Sequence, residues 1–316
     1  MFSGNPLIIF CIIAAGVSCG YFLRRAKLLD IRAARMISLI VFVTTYPAVA
    51  FLSIWPTPLE TRFALLPCIQ GLSAIIMIVV VLAVSRLHRL SRMDRGAFIL
   101  ACALSNQGYT MGGLVCYLFY GSQGLALAQI YCFLWGPLVV LVIFPLANHF
   151  NPDSAQESPG RIIWNGVWHI RSLGIIGLLA GIIFSLLNVP YPSWVGTYRL
   201  VGIIILLGTF TIYGIIGLNL HLSDIRGYTG LCFSQAGVKF VIAPLLAVLM
   251  ITLFGLKSHE LPAKVALTMA FMPTAVNSVL ISNIFGLNGR LASALFVVNT
   301  VLFLGVVLPL LYWLYF

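Results

Sequence analysis

Two short stretches interrupt otherwise apolar runs with side chains able to hold a ligand. The first reads Ser105-Asn106-Gln107-Gly108-Tyr109-Thr110-Met111-Gly112-Gly113, the second Phe271-Met272-Pro273-Thr274-Ala275-Val276-Asn277-Ser278. Asn106, Gln107 and Asn277 supply amides, while Tyr109, Thr110, Thr274 and Ser278 supply hydroxyls. Gly108 and Pro273 break helices, because proline removes an N–H and clashes with the preceding turn, and glycine weakens a helix by about 1 kcal/mol relative to alanine. A helix broken in this way presents the N–H groups and positive dipole end of its second half, which is an anion site. Thr110 and Thr274 stand where they would cap those second halves. The chemistry on offer is non-covalent recognition of a small anion. Small and polar residues of this kind also glue tightly packed membrane helices without binding anything.

Lys239 is the one formally charged residue deep inside an apolar run. An intramembrane charge is costly and usually functional, so Lys239 reads as a countercharge for an anionic substrate or as a pin to a freed carbonyl. The alternative is a lysine that snorkels to the interface. All seven acids, Asp30, Glu60, Asp94, Asp153, Glu157, Asp224 and Glu260, fall in loops or at span ends, leaving no carboxylate for a proton relay or a sodium cage. His88, His149, His169, His221 and His259 map to loops as well. No metal site and no cofactor motif is expected, and no catalytic constellation. Tyr131 and Tyr46-Pro47 lie where they can reach the same cavity.

The elements that must position these residues follow from composition. Only 8% of the 316 residues are charged and 61% are apolar, with a mean hydropathy of +1.07. An ordinary soluble domain carries roughly 25% charge, so a water-soluble globule is excluded and the class is an all-α integral membrane protein. The net charge of +11 arises from short basic tracts between apolar runs, which speaks for topology and membrane lipid rather than nucleic acid. Seven cysteines, all inside apolar stretches without CxxC spacing, argue against disulfides and structural zinc. The first apolar run lacks a basic leader before it and is expected to be a retained helix.

Apolar runs give ten spans, at 5–23, 37–55, 63–85, 96–120, 123–146, 173–188, 197–220, 229–255, 263–285 and 290–315. The polar segment 147–172 links a first half, 1–146, to a second, 173–316. Bases concentrate in the loops after odd-numbered spans, which places the linker in the cytoplasm and both termini outside a cell membrane. At a constant offset of 165 residues, Ala15-Gly16 falls on Ala180-Gly181, Phe119 to Gly124 falls on Ile284 to Gly289, and Gly108 falls on Pro273. Five spans per copy is an odd number, so the copies are inverted repeats, an arrangement typical of secondary transporters, and spans four and nine are interrupted at equivalent points. Gly16 and Gly20 form a small-residue seam in span one that is a candidate dimer contact.

Several segments resemble the auxin efflux carrier family, which includes plant auxin exporters and bacterial malonate-type permeases. They are Gly20-Tyr21-Phe22-Leu23-Arg24-Arg25 with Leu28-Leu29, Tyr46-Pro47-Ala48, Lys239-Phe240-Val241-Ile242-Ala243-Pro244, and Met272 to Ser278. The segment Ser105 to Gly113 keeps the family's Asn and Gly but departs from its Gly-Leu-Pro or proline at the break. The resemblance implies a ten-helix fold similar to bile-acid and sodium/proton transporters, with spans four and nine crossed. Spans one, two, six and seven would form a scaffold, dimeric through a second copy, against which the remaining six move as an elevator. Substrates would be small organic anions, auxin-like carboxylates among them, moved outward by membrane potential. The rival readings are a sodium-coupled symporter of bile-acid type and a nontransporting membrane sensor or scaffold.

Overall fold

The computed structural model describes residues 6–29, 31–151, 173–219 and 225–315. Among them every regular element is helical, and the one β-type contact is an isolated antiparallel bridge between Ser105 and Thr274. Six helical runs are long and apolar enough to cross a membrane: Leu7–Arg25, Thr61–Ser85, Tyr109–Phe150, Leu200–Leu218, Thr229–Leu253 and Gly289–Leu314. Leu39–Ile54, Gly174–Leu186 and Leu261–Ala270 are shorter apolar helices.

In chain order the helices are α1 (Pro6–Arg25), α2 (Ile31–Ile54), α3 (Leu65–Ser85), α4 (Arg92–Ala103), α5 (Leu114–Tyr131), α6 (Trp135–Leu138) and α7 (Phe144–Phe150). They continue as α8 (Leu173–Leu186), α9 (Ser193–Thr197), α10 (Leu200–Asn219), α11 (Thr229–Gly237), α12 (Ala243–Leu253), α13 (Leu261–Ala270), α14 (Val276–Ile284), α15 (Gly289–Leu302) and α16 (Leu308–Tyr315). Because α7 runs to Phe150, the first residues assigned to the linker are helical, and 152–172 lies outside the described residues, as do His221 and Asp224.

The run Tyr109–Phe150 spans 42 residues, about 63 Å of helix and twice a bilayer core. It turns at Gly121, whose φ of 70° and ψ of −159° lie outside helical space. Gly286 has φ of 63° at the position 165 residues on, between α14 and α15. An L side chain at such φ crowds a carbonyl at a cost of about 1–2 kcal/mol, so glycine is favoured at both turns.

Three wide π turns, Val139–Ile143, Val238–Ile242 and Phe303–Val307, each end two residues before a proline, Pro145, Pro244 and Pro309. Proline cannot donate to the helical ladder and crowds the turn before it, and a one-residue widening relieves the crowding. The second of these turns contains Lys239.

Two close helix pairs form one side of the molecule. In α1 an added Cβ on Gly20 would lie 1.8 Å from the Gly214 carbonyl oxygen, and one on Gly217 would lie 2.1 Å from that of Val17. The α1 seam therefore packs on α10 of the same chain, which corrects its reading as a dimer contact. Gly177 likewise meets the Pro47 carbonyl at 2.3 Å and Gly181 that of Phe51 at 3.0 Å, so α8 packs on α2.

The helix ends group as two sets. Asn288 caps α15 by accepting from the amides of Arg290 and Leu291, and its Nδ2 donates to Asp94 at 2.7 Å. Ser91 caps α4 by accepting from the Asp94 amide at 3.1 Å, and Arg92 donates to the His149 carbonyl. In the other set Arg62 pairs with Glu60 and, at 3.2 Å, with Glu260.

Candidate functional site

Both predicted interruptions are present, and they touch. Helix α4 stops at Ala103 and α13 at Ala270, and the extended segments that follow run antiparallel through each other. The Asn106 amide donates to the Pro273 carbonyl at 2.7 Å, and the Ala275 amide donates to the Leu104 carbonyl at 3.0 Å. Lipid cannot satisfy backbone groups freed from a helix, so each break satisfies the other. The crossing is centred on Ser105 and Thr274, not on Gly108 and Pro273. The 165-residue offset aligns the sequences, but antiparallel pairing runs in opposite directions along the two segments and so matches other residues. Gly108 sits further on, where its carbonyl accepts from Gly113 at 2.9 Å and its own φ is an ordinary −62°.

Side chains complete the crossing. The Thr274 amide donates to Asn299 Oδ1 at 2.8 Å, and its hydroxyl lies 3.0 Å from the Ala101 carbonyl and 3.2 Å from Asn299 Oδ1. Gln235 Nε2 donates to Thr274 Oγ1 at 2.6 Å. Gln107 Nε2 donates to the Met269 carbonyl at 3.1 Å, closing the end of α13. Lys239, 1% exposed, donates from Nζ to Ser105 Oγ at 2.7 Å. It therefore does not snorkel, and it pins α11–α12 to the first break through a hydroxyl instead of a carbonyl. Among the described residues it has no carboxylate partner; the ion pairs there are those of Arg62 with Glu60 and Glu260.

Beyond the crossing two helices begin. The amides of Tyr109 and Thr110 at one start, and of Val276 and Asn277 at the other, have no acceptor among the described residues. Neither Thr110 nor Thr274 caps them: the cap positions are Gly108 and Ala275, without side-chain caps. Thr274 is one residue too early, and its hydroxyl is taken by the crossing. Thr110 and Asn277 are half-buried and make no side-chain hydrogen bond with the described residues, so both remain free for a ligand. Ser278 is buried and turned onto its own helix, donating to the Ala275 carbonyl at 2.7 Å.

Facing the first break are α2 and α10. Asn106 Nδ2 donates to the Tyr213 hydroxyl at 3.2 Å, and the Tyr46 and Tyr109 rings stack at 5.6 Å with 24° between planes. The Tyr109 and Thr209 hydroxyls there are buried without partners. Tyr131 is set apart, lining a cavity with Gln107 behind the crossing. The structure thus gathers Asn106, Gln107, Pro273, Thr274 and Lys239 at the crossing, with Gly108, Tyr109, Thr110 and Asn277 at the helix starts. Sequence reading missed Tyr213, Gln235 and Asn299. The signal available was an amide or phenol inside an apolar run, and Gln235 in addition repeats Gln70 at the 165-residue offset.

No group of three or more metal-ligating side chains occurs among the described residues. Apolar helices of membrane length around an internal crossing of two broken ones, furnished with amides and a buried ammonium, are the framework of a membrane transporter. Residues 3–312 match the family described as Membrane transport protein, so the chain belongs to that family of auxin efflux carrier type. No curated protein matches the chain.

Proposed function

We propose that this transporter carries small organic anions, carboxylates in particular, by an elevator movement across a cell membrane, driven outward by the membrane potential. The observation that carries the reading is the pair of helix starts at Tyr109 and Val276, whose unpaired amides and positive dipole ends flank a crossing that Lys239 makes more positive. Binding would draw on Asn106, Thr110 and Asn277, with Tyr46, Tyr109 and Tyr213 forming the wall supplied by α2 and α10. Membership of the family, the matched turns at Gly121 and Gly286, and the two breaks support ten spans arranged as inverted repeats. In that arrangement α1, α2, α8 and α10 are the scaffold, in a homodimer, and the remaining helices move. The sidedness of the bases puts both termini outside and the central linker in the cytoplasm.

An exported monoanion gains about 2.3 kcal/mol per 100 mV, roughly fiftyfold in concentration. The test is flux of a panel of carboxylates in proteoliposomes with potential clamped by potassium and valinomycin, varying sodium and pH separately. Potential-dependent flux at zero sodium and proton gradients supports the reading. Strict dependence on sodium at fixed potential overturns transport driven by potential alone, and saturable binding without flux for any panel member overturns transport of this class.

A further inference from the structure

The crossing has a second polar surface, turned away from α2 and α10. It borders a cavity of about 60 Å³ whose polar lining comes from Gln70, Ser73, Ser105, Gln107, Tyr131 and Trp135, the rest of the wall being mainly aliphatic. Gln70 and Ser73 stand three apart on α3 and share its inner face. Gln70 is 4% exposed, and its Oε1 and the Ser73 Oγ are buried without any hydrogen-bond partner. Gln235, 165 residues on, occupies the corresponding place in the second half, where its amide is bonded to Thr274 and Ala101. In both halves the amide oxygen is buried without a partner, but the Gln235 Nε2 is bonded within the crossing, whereas Gln70 lines a cavity.

Ser105 connects this cavity to Lys239. Its oxygen accepts from the ammonium at 2.7 Å, so its own proton points elsewhere, and no acceptor for it exists among the described residues. Ser73 has the same surplus donor. The Gln70 amide, turned about its last bond, presents its NH₂ to the same space. Two hydroxyl donors without an acceptor, one hydroxyl away from a buried ammonium without a carboxylate, call for an acceptor, and the positive charge favours a negative one; Gln70 joins them only with its amide turned so that Nε2 faces the cavity and its oxygen does not. A water needs about 10–15 Å³ of such space, so a cavity of about 60 Å³ has room for one chloride-sized ion with a few waters.

We propose that this cavity is a halide site, holding one chloride-sized anion between Ser105, Ser73 and Gln70 as the counterion of Lys239. The site stands independently of the transported substrate, and its test involves no flux. Crystals of the full chain grown in bromide should give an anomalous peak between Ser73 and Ser105. Melting of the purified protein should rise saturably with chloride or bromide, replaced by gluconate at constant ionic strength. In Ser73→Ala and Gln70→Leu the midpoint for chloride should move up at least tenfold, while Asn277→Ala leaves it unchanged. Equal melting of the unmodified protein in chloride, bromide and gluconate, or a cavity without anomalous signal, overturns the proposal. That readout needs no variant to fold. No halide dependence in the unmodified protein, with carboxylate binding present, would refute the halide site alone; halide dependence without carboxylate binding or flux would refute the transport reading alone.

Discussion

Replacing Gly20 with alanine tests the α1–α10 packing directly. The new Cβ would lie 1.8 Å from the Gly214 carbonyl oxygen, 2.7 Å from its carbon and 3.0 Å from the Leu218 nitrogen, where an ordinary contact begins near 3.4 Å. All three obstacles are backbone, so no side chain can swing aside and the helices must separate. Overpacking of this kind costs about 1–3 kcal/mol, and a rigid obstacle puts the site at the upper end. Alanine returns about 1 kcal/mol of helix propensity, which leaves a net loss of about 2 kcal/mol. Gly237→Ala is the control, because its Cβ meets nothing within 4 Å and only the propensity gain remains. At roughly 2–4 °C per kcal/mol, Gly20→Ala should melt about 4–8 °C below the unmodified protein in detergent, and Gly237→Ala at or slightly above it. The drop should not vary with protein concentration, since the seam is intramolecular. A Gly20→Ala protein that melts at or above the unmodified one would refute the packing argument, and a drop that vanishes on dilution would return the seam to a contact between copies.

The other predictions concern the crossing and the turns. Thr274→Val removes the acceptor of the Gln235 amide and a donor at the Ala101 carbonyl, and should lower stability by about 1–3 kcal/mol in a melting assay, whereas Thr274→Ser should keep most of it. Gly121→Ala and Gly286→Ala place a Cβ at φ of 70° and 63° and should each cost about 1–2 kcal/mol; equal melting of either with the unmodified protein would show that the turn readjusts. Asn277→Ala should leave melting unchanged, because the side chain has no internal partner, yet weaken binding of a carboxylate ligand by about 1–3 kcal/mol in titration calorimetry. Unchanged affinity would remove Asn277 from the site.

The sequence alone determined what depends on short windows and on solvent. Apolar runs with few charges dictate helices in lipid, and glycine or proline at fixed places dictates where they turn, so the all-helical membrane class and both breaks were legible. So was the oddity of Lys239, since burying a lone charge needs a reason wherever it occurs. Tertiary structure decided who satisfies whom. The Gly16/Gly20 seam required a close neighbour, but small residues do not say whether that neighbour is another copy or α10. The breaks required partners for freed backbone groups, yet the offset pointed to Gly108 and Pro273, while antiparallel pairing chose Ser105 and Thr274. Asn299 reaches Thr274 from α15, Gln235 from α11 and Tyr213 reaches Asn106 from α10. Such pairs leave no periodic trace, because a hydrogen bond between helices constrains one residue on each and nothing around it. Lys239 shows both parts of the division: the sequence placed a charge within a span, and a widened turn before Pro244 with the hydroxyl of Ser105 determined where that charge points.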